Sequence, residues 1–185
     1  MPEGPPADPG AGLVQQPSSR YCFLCGLENP TGLRLLLYQD PAARQVLAHL
    51  AVPARFQSYP GIVHGGVVAT LLDEVAGRAS LLEGSDFLLV TVTLEVRYRH
   101  PTPIETPLTV IGWMTQPGRQ RARAHGEVRL ADGTVTAEAD LLLVRPPAAV
   151  LSGWEGEKPY WRVYPGPAGE ANLPPPPVTG SAVGS

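Results

Sequence analysis

His64-Gly65-Gly66 stands directly before Val67-Val68-Ala69-Thr70-Leu71-Leu72, and the acidic pair Asp73-Glu74 follows. Two glycines at the start of an apolar helix leave its first N–H groups uncovered by side chains. Such a terminus, at the positive end of the helix dipole, is a ready site for an oxyanion. A carboxylate two turns further along an otherwise apolar helix is costly to bury unless it is used or paired. Together these residues point to chemistry on a carbonyl group.

The helix that must position them is expected from about Gly65 to about Leu82. At about 100° per residue, Val68, Leu71, Leu72, Val75, Ala79 and Leu82 form one apolar stripe that should bury against a sheet. A second stripe holds Gly66, Ala69, Thr70, Asp73, Gly77 and Ser80. All but Asp73 are small, which lets another backbone or a ligand come close. Glu74 precedes Arg78 by four residues, the favourable order for a surface pair. Asp73 has Gly77 at that spacing and so no such partner. Gly65 and Asp73 lie roughly 12 Å apart along a helix rising 1.5 Å per residue, too far for one carbonyl to touch both. A second copy of the helix, antiparallel across a two-fold axis, would bring Asp73 of one subunit beside Gly65 of the other, which predicts a dimer with two shared sites.

Around the helix, Gly32–Tyr38 and Arg44–Val52 read as strands joined by a turn at Asp40-Pro41-Ala42-Ala43. After it, Val90, Val92, Leu94, Val96 and Tyr98 alternate with polar residues as a half-buried strand. Leu108–Thr115, Gln120–Leu130 and Thr134–Val144 read as three more, the last two joined at Ala131-Asp132-Gly133. Two strands, one long helix and four strands predict an α+β fold: an antiparallel sheet packed on one helix.

The 185 residues suffice for one domain with a real core, and a net charge of −3 gives no reason to expect nucleic acid or an anionic membrane surface as partner. No apolar run is long enough to span a bilayer and no signal peptide is visible, so a reducing, cytoplasmic setting is expected. Residues 1–19 and 165–185, the latter with Pro174-Pro175-Pro176-Pro177, read as Pro/Gly-rich disordered tails around a domain over 20–147. Residues 148–164 carry Trp154, Tyr160, Trp161 and Tyr164 and read as an aromatic strap across the domain's own sheet, with a cap over a substrate entrance or a subunit contact as the alternatives. Cys22-Phe23-Leu24-Cys25 can be a redox pair or half of a zinc site. No second CxxC and no His pair of ligand spacing accompanies it, so a structural role is expected, with no metal and no cofactor.

The chain resembles the hotdog-fold acyl-CoA thioesterases, more narrowly the phenylacetate-pathway (PaaI-type) branch within the 4-hydroxybenzoyl-CoA thioesterase superfamily. The resemblance rests on His64-Gly65-Gly66, on Asp73, on Thr91-Val92-Thr93-Leu94-Glu95-Val96-Arg97-Tyr98 followed by Pro101, and on Cys22-Phe23-Leu24-Cys25-Gly26 with Asn29-Pro30-Thr31-Gly32-Leu33. It implies a sheet wrapped around one long central helix, homodimers often paired into homotetramers, and active sites at the dimer interface. It also implies hydrolysis of an acyl or aryl thioester to free acid and coenzyme A. Gly65 would correspond to the glycine whose N–H polarises the thioester carbonyl, Asp73 to the catalytic carboxylate, acting as general base or nucleophile, and Thr91 to the hydroxyl that places water or the carboxylate. By alternation Thr91 lies on the polar face of its strand, so it reaches Asp73 only if the strand's first residues twist or face the dimer partner. Family members often carry an amide side chain six residues before the histidine; here that place is Ser58, with Gln57 beside it. His64 is expected to position the loop at the helix start, beside Gly66. Arg97 and Arg99 share a strand face, as do Arg119, Arg121 and Arg123 if their strand runs through, and either group suits the coenzyme A phosphates. The competing reading is a hotdog sensor or carrier that binds acyl-CoA without hydrolysing it.

Overall fold

The computed structural model describes residues 12–84, 89–164 and 171–172. Seven strands form one antiparallel sheet: β1 (Val14–Gln15), β2 (Tyr38–Asp40), β3 (Gln45–Leu50), β4 (Val90–Tyr98), β5 (Leu108–Gln116), β6 (Arg121–Leu130) and β7 (Val135–Val144). Their spatial order is β1-β2-β3-β5-β6-β7-β4. The long helix α1 (Gly65–Arg78) continues as a 3-10 turn over Ala79–Glu83 and lies along this sheet. This is the expected α+β hotdog architecture.

The apolar stripe of α1 does what its period demands. Val68, Leu71, Leu72, Val75 and Ala79 are buried, while Leu82 packs at the edge of the core. Ala76 joins them, and its place is unusually close to the sheet. Gly112 and Gly126 sit opposite each other on β5 and β6. A Cβ on Gly112 would stand 2.5 Å from the Ala76 Cα, and one on Gly126 would stand 3.1 Å from the Ala76 Cβ. The two glycines make a hollow into which the helix backbone sinks.

Turn chemistry fixes the hairpins. The Asp40 carboxylate accepts from the Ala42 and Ala43 N–H groups, both at 3.0 Å, between β2 and β3. Asp132 accepts from the Thr134 N–H at 2.9 Å, and Gly133 takes a positive φ of 87° between β6 and β7.

Three features differ from the sequence expectations. Residues 33–37 are not a strand, although Leu33, Leu35 and Leu37 are buried in alternation. Arg34 adopts a left-handed φ of 51°, and the backbone bonds to a loop and to a distant side chain rather than to a ladder. Leu35 N–H donates to the Leu24 carbonyl at 2.8 Å, and Leu36 N–H to the Asn172 side chain at 2.7 Å. Structure also begins earlier than residue 20: β1 pairs with β2, and Gln16 and Ser18 are buried. Within 165–185, Ala171 is buried and Asn172 bridges to Leu50. Residues 1–11, 165–170 and 173–185, with the polyproline run, lie outside the described residues. Among the described residues no helix is long and apolar enough to cross a membrane.

The hollow under Ala76 yields a test. Gly112→Val would drive a side chain into helix backbone. Overpacking typically costs about 1–3 kcal/mol, and a clash with backbone belongs at or above the upper end. Urea denaturation should show the loss as a lower midpoint, while Gly133→Ala, at a surface turn, should cost less.

Candidate active site

His64 caps α1. Its Nδ1 accepts from the Gly66 N–H at 3.0 Å, which leaves the ring proton on Nε2. A Cβ on Gly66 would meet this Nδ1 at 3.1 Å, so the second glycine makes room for the cap. Tyr98, near the end of β4, donates its hydroxyl to the Gly65 carbonyl at 2.8 Å. The helix start is thereby tied to the edge strand of the sheet.

Ser58, Gly65, Tyr98 and Arg99 line one cavity at this end of α1. Gln57 turns elsewhere: its side-chain oxygen accepts from the Gly61 N–H at 3.3 Å, bracing the loop. Arg97 is held by carboxylates, 2.7 Å from Asp140 and 2.6 Å from Glu95. Arg99 pairs with Glu138 at 2.6 Å.

Asp73 lies two turns further along the helix, half-buried, and Thr91 donates its hydroxyl to Asp73 Oδ1 at 2.8 Å. Strand alternation alone would turn Thr91 away. A bulge resolves this: Thr91 pairs with Leu143 and Thr93 with Leu142, so Val92 is an extra residue that resets the facing of Thr91. Burial pushes the Asp73 carboxyl above the ordinary carboxylate range. The Thr91 hydrogen bond opposes the shift, and the nearby Glu74 charge adds to it.

Asp73 and Thr91 line a separate cavity of about 310 Å³ with Leu89, Cys22, Trp154 and Trp161. The aromatic segment, α2 (Ala148–Gly153) and the short 3-10 turns over Trp154–Gly156 and Lys158–Tyr160, thus reaches the Asp73 cavity through Trp154 and Trp161. Trp154 and Trp161 meet edge to face, 5.2 Å between centroids. Trp154 and Trp161 bring this segment to the wall of the cavity. Nothing in the spacing of its aromatics announced that destination, nor the contact of Tyr98 with Gly65.

Glu74 pairs with Arg78 at 2.8 Å, as their spacing predicts, but this is no surface pair: Arg78 is only 7% exposed. The N-terminal segment folds over it. Its guanidinium donates to the Pro17 carbonyl at 2.5 Å and to Cys25 Sγ at 2.8 Å, and lies 4.5 Å from the Trp161 ring centre.

The model of the family described as "Thioesterase superfamily" matches residues 60–137, the stretch from before the helix into β7. The rat protein "Acyl-coenzyme A thioesterase THEM4" is 28% identical over 96 residues, which are 52% of this chain and 40% of that protein. The chain therefore spans well under half the length of the curated relatives it matches. Among solved structures, "protein RHA08564, thioesterase superfamily protein" is 33% identical with a TM-score of 0.62, covering 68% of this chain and 60% of that one. Protein smu.793 from Streptococcus mutans UA159, solved bound to acetyl CoA, shares the fold at 24% identity and a TM-score of 0.52, covering 55% of this chain and 81% of its own.

The opposed influences on Asp73 give a signed expectation. Removing the Thr91 hydroxyl deletes the one influence that favours the ionised form. Thr91→Val should therefore raise the Asp73 pKa further, read from its side-chain carboxyl carbon resonance across a pH titration. An unchanged titration would mean that the hydrogen bond does not form.

Proposed function

We propose that this chain hydrolyses acyl-coenzyme A thioesters: it belongs to the hotdog-fold thioesterase superfamily, and its two half-sites carry the groups that such hydrolysis needs. The observation that carries the reading is that Gly65 and Asp73 line different cavities of one chain. One copy offers an oxyanion donor at the start of α1 and a carboxylate two turns further along. β4 runs beside both, with Thr91 on Asp73 and Tyr98 on Gly65.

β4 is also the last strand of the sheet, and among the described residues no strand pairs with its outer edge. Its apolar residues are incompletely covered: Val92 is 54% exposed and Tyr98 55%. A long apolar edge strand invites pairing. A second β4, added antiparallel about a two-fold axis between Leu94 and Glu95, sets Thr91 of one copy opposite Tyr98 of the other. Asp73 of one copy then faces Gly65 of the other, and each dimer holds two composite sites.

In such a site the thioester carbonyl lies over the helix N-terminus. The Gly65 N–H and the helix dipole stabilise the oxyanion as it forms. Asp73 of the facing subunit either takes a proton from water, giving acid and coenzyme A in one addition, or attacks the carbonyl itself, giving a mixed anhydride that water then opens. Both routes require the carboxylate ionised, and Thr91 holds it so. Partial burial makes it a better base than a solvated carboxylate. His64 shapes the loop rather than moving the proton, since its Nδ1 is occupied by the cap. Of the two arginines, Arg99 is the better placed for coenzyme A phosphates, because it lines the Gly65 cavity while Arg97 is enclosed by carboxylates. Two free thiols fit a reducing, cytoplasmic setting.

Free-thiol release from a panel of aryl and aliphatic acyl-CoAs is the direct test. Wild type should turn over at least one member, and Asp73→Asn should be inactive with its fold intact. Binding without release by wild type would instead mark an acyl-CoA sensor or carrier. Gly65→Pro removes one N–H at a helix position that accepts proline, so it isolates the donor. Losing such a donor costs roughly 2.7–4 kcal/mol of barrier, a rate loss of about 10²–10³. Refolding an equal mixture of Asp73→Asn and Gly65→Pro should restore about a quarter of wild-type activity, through mixed dimers with one intact site. No recovery would show that each site is built within one chain.

A further inference from the structure

Cys22 and Cys25 are not needed to assemble the half-sites above, yet they form the wall of the Asp73 cavity. Their loop is built with close tolerances. Residues 22–26 make one helical turn closed by the Gly26 N–H on the Cys22 carbonyl at 2.9 Å. A Cβ at Gly26 would stand 2.4 Å from that carbonyl oxygen, so the turn demands glycine there. The N–H groups of Leu24 and Cys25 both point at Cys22 Sγ, at 3.4 and 3.5 Å. Two convergent backbone donors are the setting that stabilises a thiolate.

The neighbours divide the two sulfurs into unlike partners. Cys22 is half-buried and borders the cavity, whereas Cys25 is 1% exposed. The hydrogen bond from Cys25 lowers the Cys22 thiol to about 7, against its burial and the charge of Glu74. The same hydrogen bond, with burial, holds the Cys25 proton on. Glu74 brings a third ligand-type atom, all within 4.8 Å of one another. The cationic place among them belongs to Arg78, bonded to both Glu74 and Cys25, so the cluster is read as a thiol site and not as a metal site.

We propose that Cys22 and Cys25 are a dithiol redox site of the cavity wall, which reacts with low-molecular-weight disulfides to close a Cys22–Cys25 disulfide. The chemistry runs as two exchanges. The Cys22 thiolate attacks one sulfur of the small disulfide, forming a mixed disulfide and expelling one thiolate. Cys22 then no longer receives the Cys25 hydrogen bond, and the influence that most held the Cys25 proton is gone. Arg78, 2.8 Å away, favours the Cys25 thiolate that follows. That thiolate attacks Cys22 Sγ and expels the second small thiolate. Two protein thiols are oxidised, one external disulfide is reduced to two thiols, and the Cys25 proton leaves with the second.

Closure has a consequence in the cavity. A disulfide needs its sulfurs about 2.05 Å apart, and it turns the Cys25 sulfur that accepts from Arg78 into a disulfide sulfur, a poorer acceptor. Arg78 stacks on Trp161, which caps the Asp73 cavity. Oxidation therefore disturbs the aromatic cap through one buried guanidinium.

The test treats the native full-length chain with 2-hydroxyethyl disulfide, quenches with acid, and maps both cysteines by mass spectrometry after alkylation. Wild type should lose both thiols and two hydrogens, link Cys22 to Cys25, and change its tryptophan emission. Dithiothreitol should reverse all of these. Cys25→Ser should stop at a single adduct on Cys22, and Cys22→Ser should not react. A wild-type adduct that stays on Cys22 beside a free Cys25 thiol would overturn the proposal, as would Cys22→Ser reacting as fast as wild type. None of these readouts involves thioester turnover, so failure here and failure of the hydrolase reading are told apart.

Discussion

The placement of every functional group depends on how deeply α1 sinks into the sheet at Ala76. Gly112 and Gly126, paired across β5 and β6, leave no side chain between the strands and the helix backbone there. Interiors are packed densely enough that a methyl group on Gly112, 2.5 Å from the Ala76 Cα, would lift the helix, and one on Gly126 would crowd the Ala76 methyl. With the Ala76 face pressed inward, the stripe of small residues that carries Asp73 turns toward β4 and the aromatic cap. Asp73 and Thr91 are thus supported from beneath the helix, by residues that line neither cavity.

Periodicity made much of this legible in advance. The helix showed itself by its apolar stripe, and the last hairpin by Asp132-Gly133. Periodicity also marked its own limit at Thr91. Alternation placed that hydroxyl on the wrong face, and only an extra residue in the ladder, Val92, resets it. A bulge leaves no reliable trace in composition, because the residue it inserts is an ordinary strand former. The 33–37 stretch failed for the opposite reason. Its leucines alternate as a strand's do, but a left-handed Arg34 and the side chain of Asn172, far along the chain, claim its backbone. A hydrogen bond across so long a separation has no local signature.

Arg78 shows how a correct local reading can miss the environment. Spacing gave its partner Glu74, and helix geometry placed both on one face. What covers that face comes from both ends of the chain, Pro17 and Cys25 on one side and Trp161 on the other. Buried guanidinium groups persist only where their donors are satisfied. Here a carboxylate, a carbonyl and a sulfur share that task. The CxxC segment is folded onto the helix because the helix offers it a charge to solvate.

That arrangement also bears on Asp73. Glu74 is its neighbour in sequence and raises its pKa through like charge. An unpaired Glu74 at the cavity wall would press the catalytic candidate further toward its neutral form, in which it can neither accept a proton from water nor attack a carbonyl. Arg78, 2.8 Å from Glu74, sets an opposite charge beside it. The ion pair therefore has two duties set by one geometry: it fastens the N-terminal segment to the helix, and it leaves burial as the main cause of the Asp73 shift. Burial can strengthen a base without removing its charge, provided a donor such as the Thr91 hydroxyl remains to hold the ionised form. Arg78 thus touches both Glu74, the neighbour of Asp73, and the sulfur of Cys25.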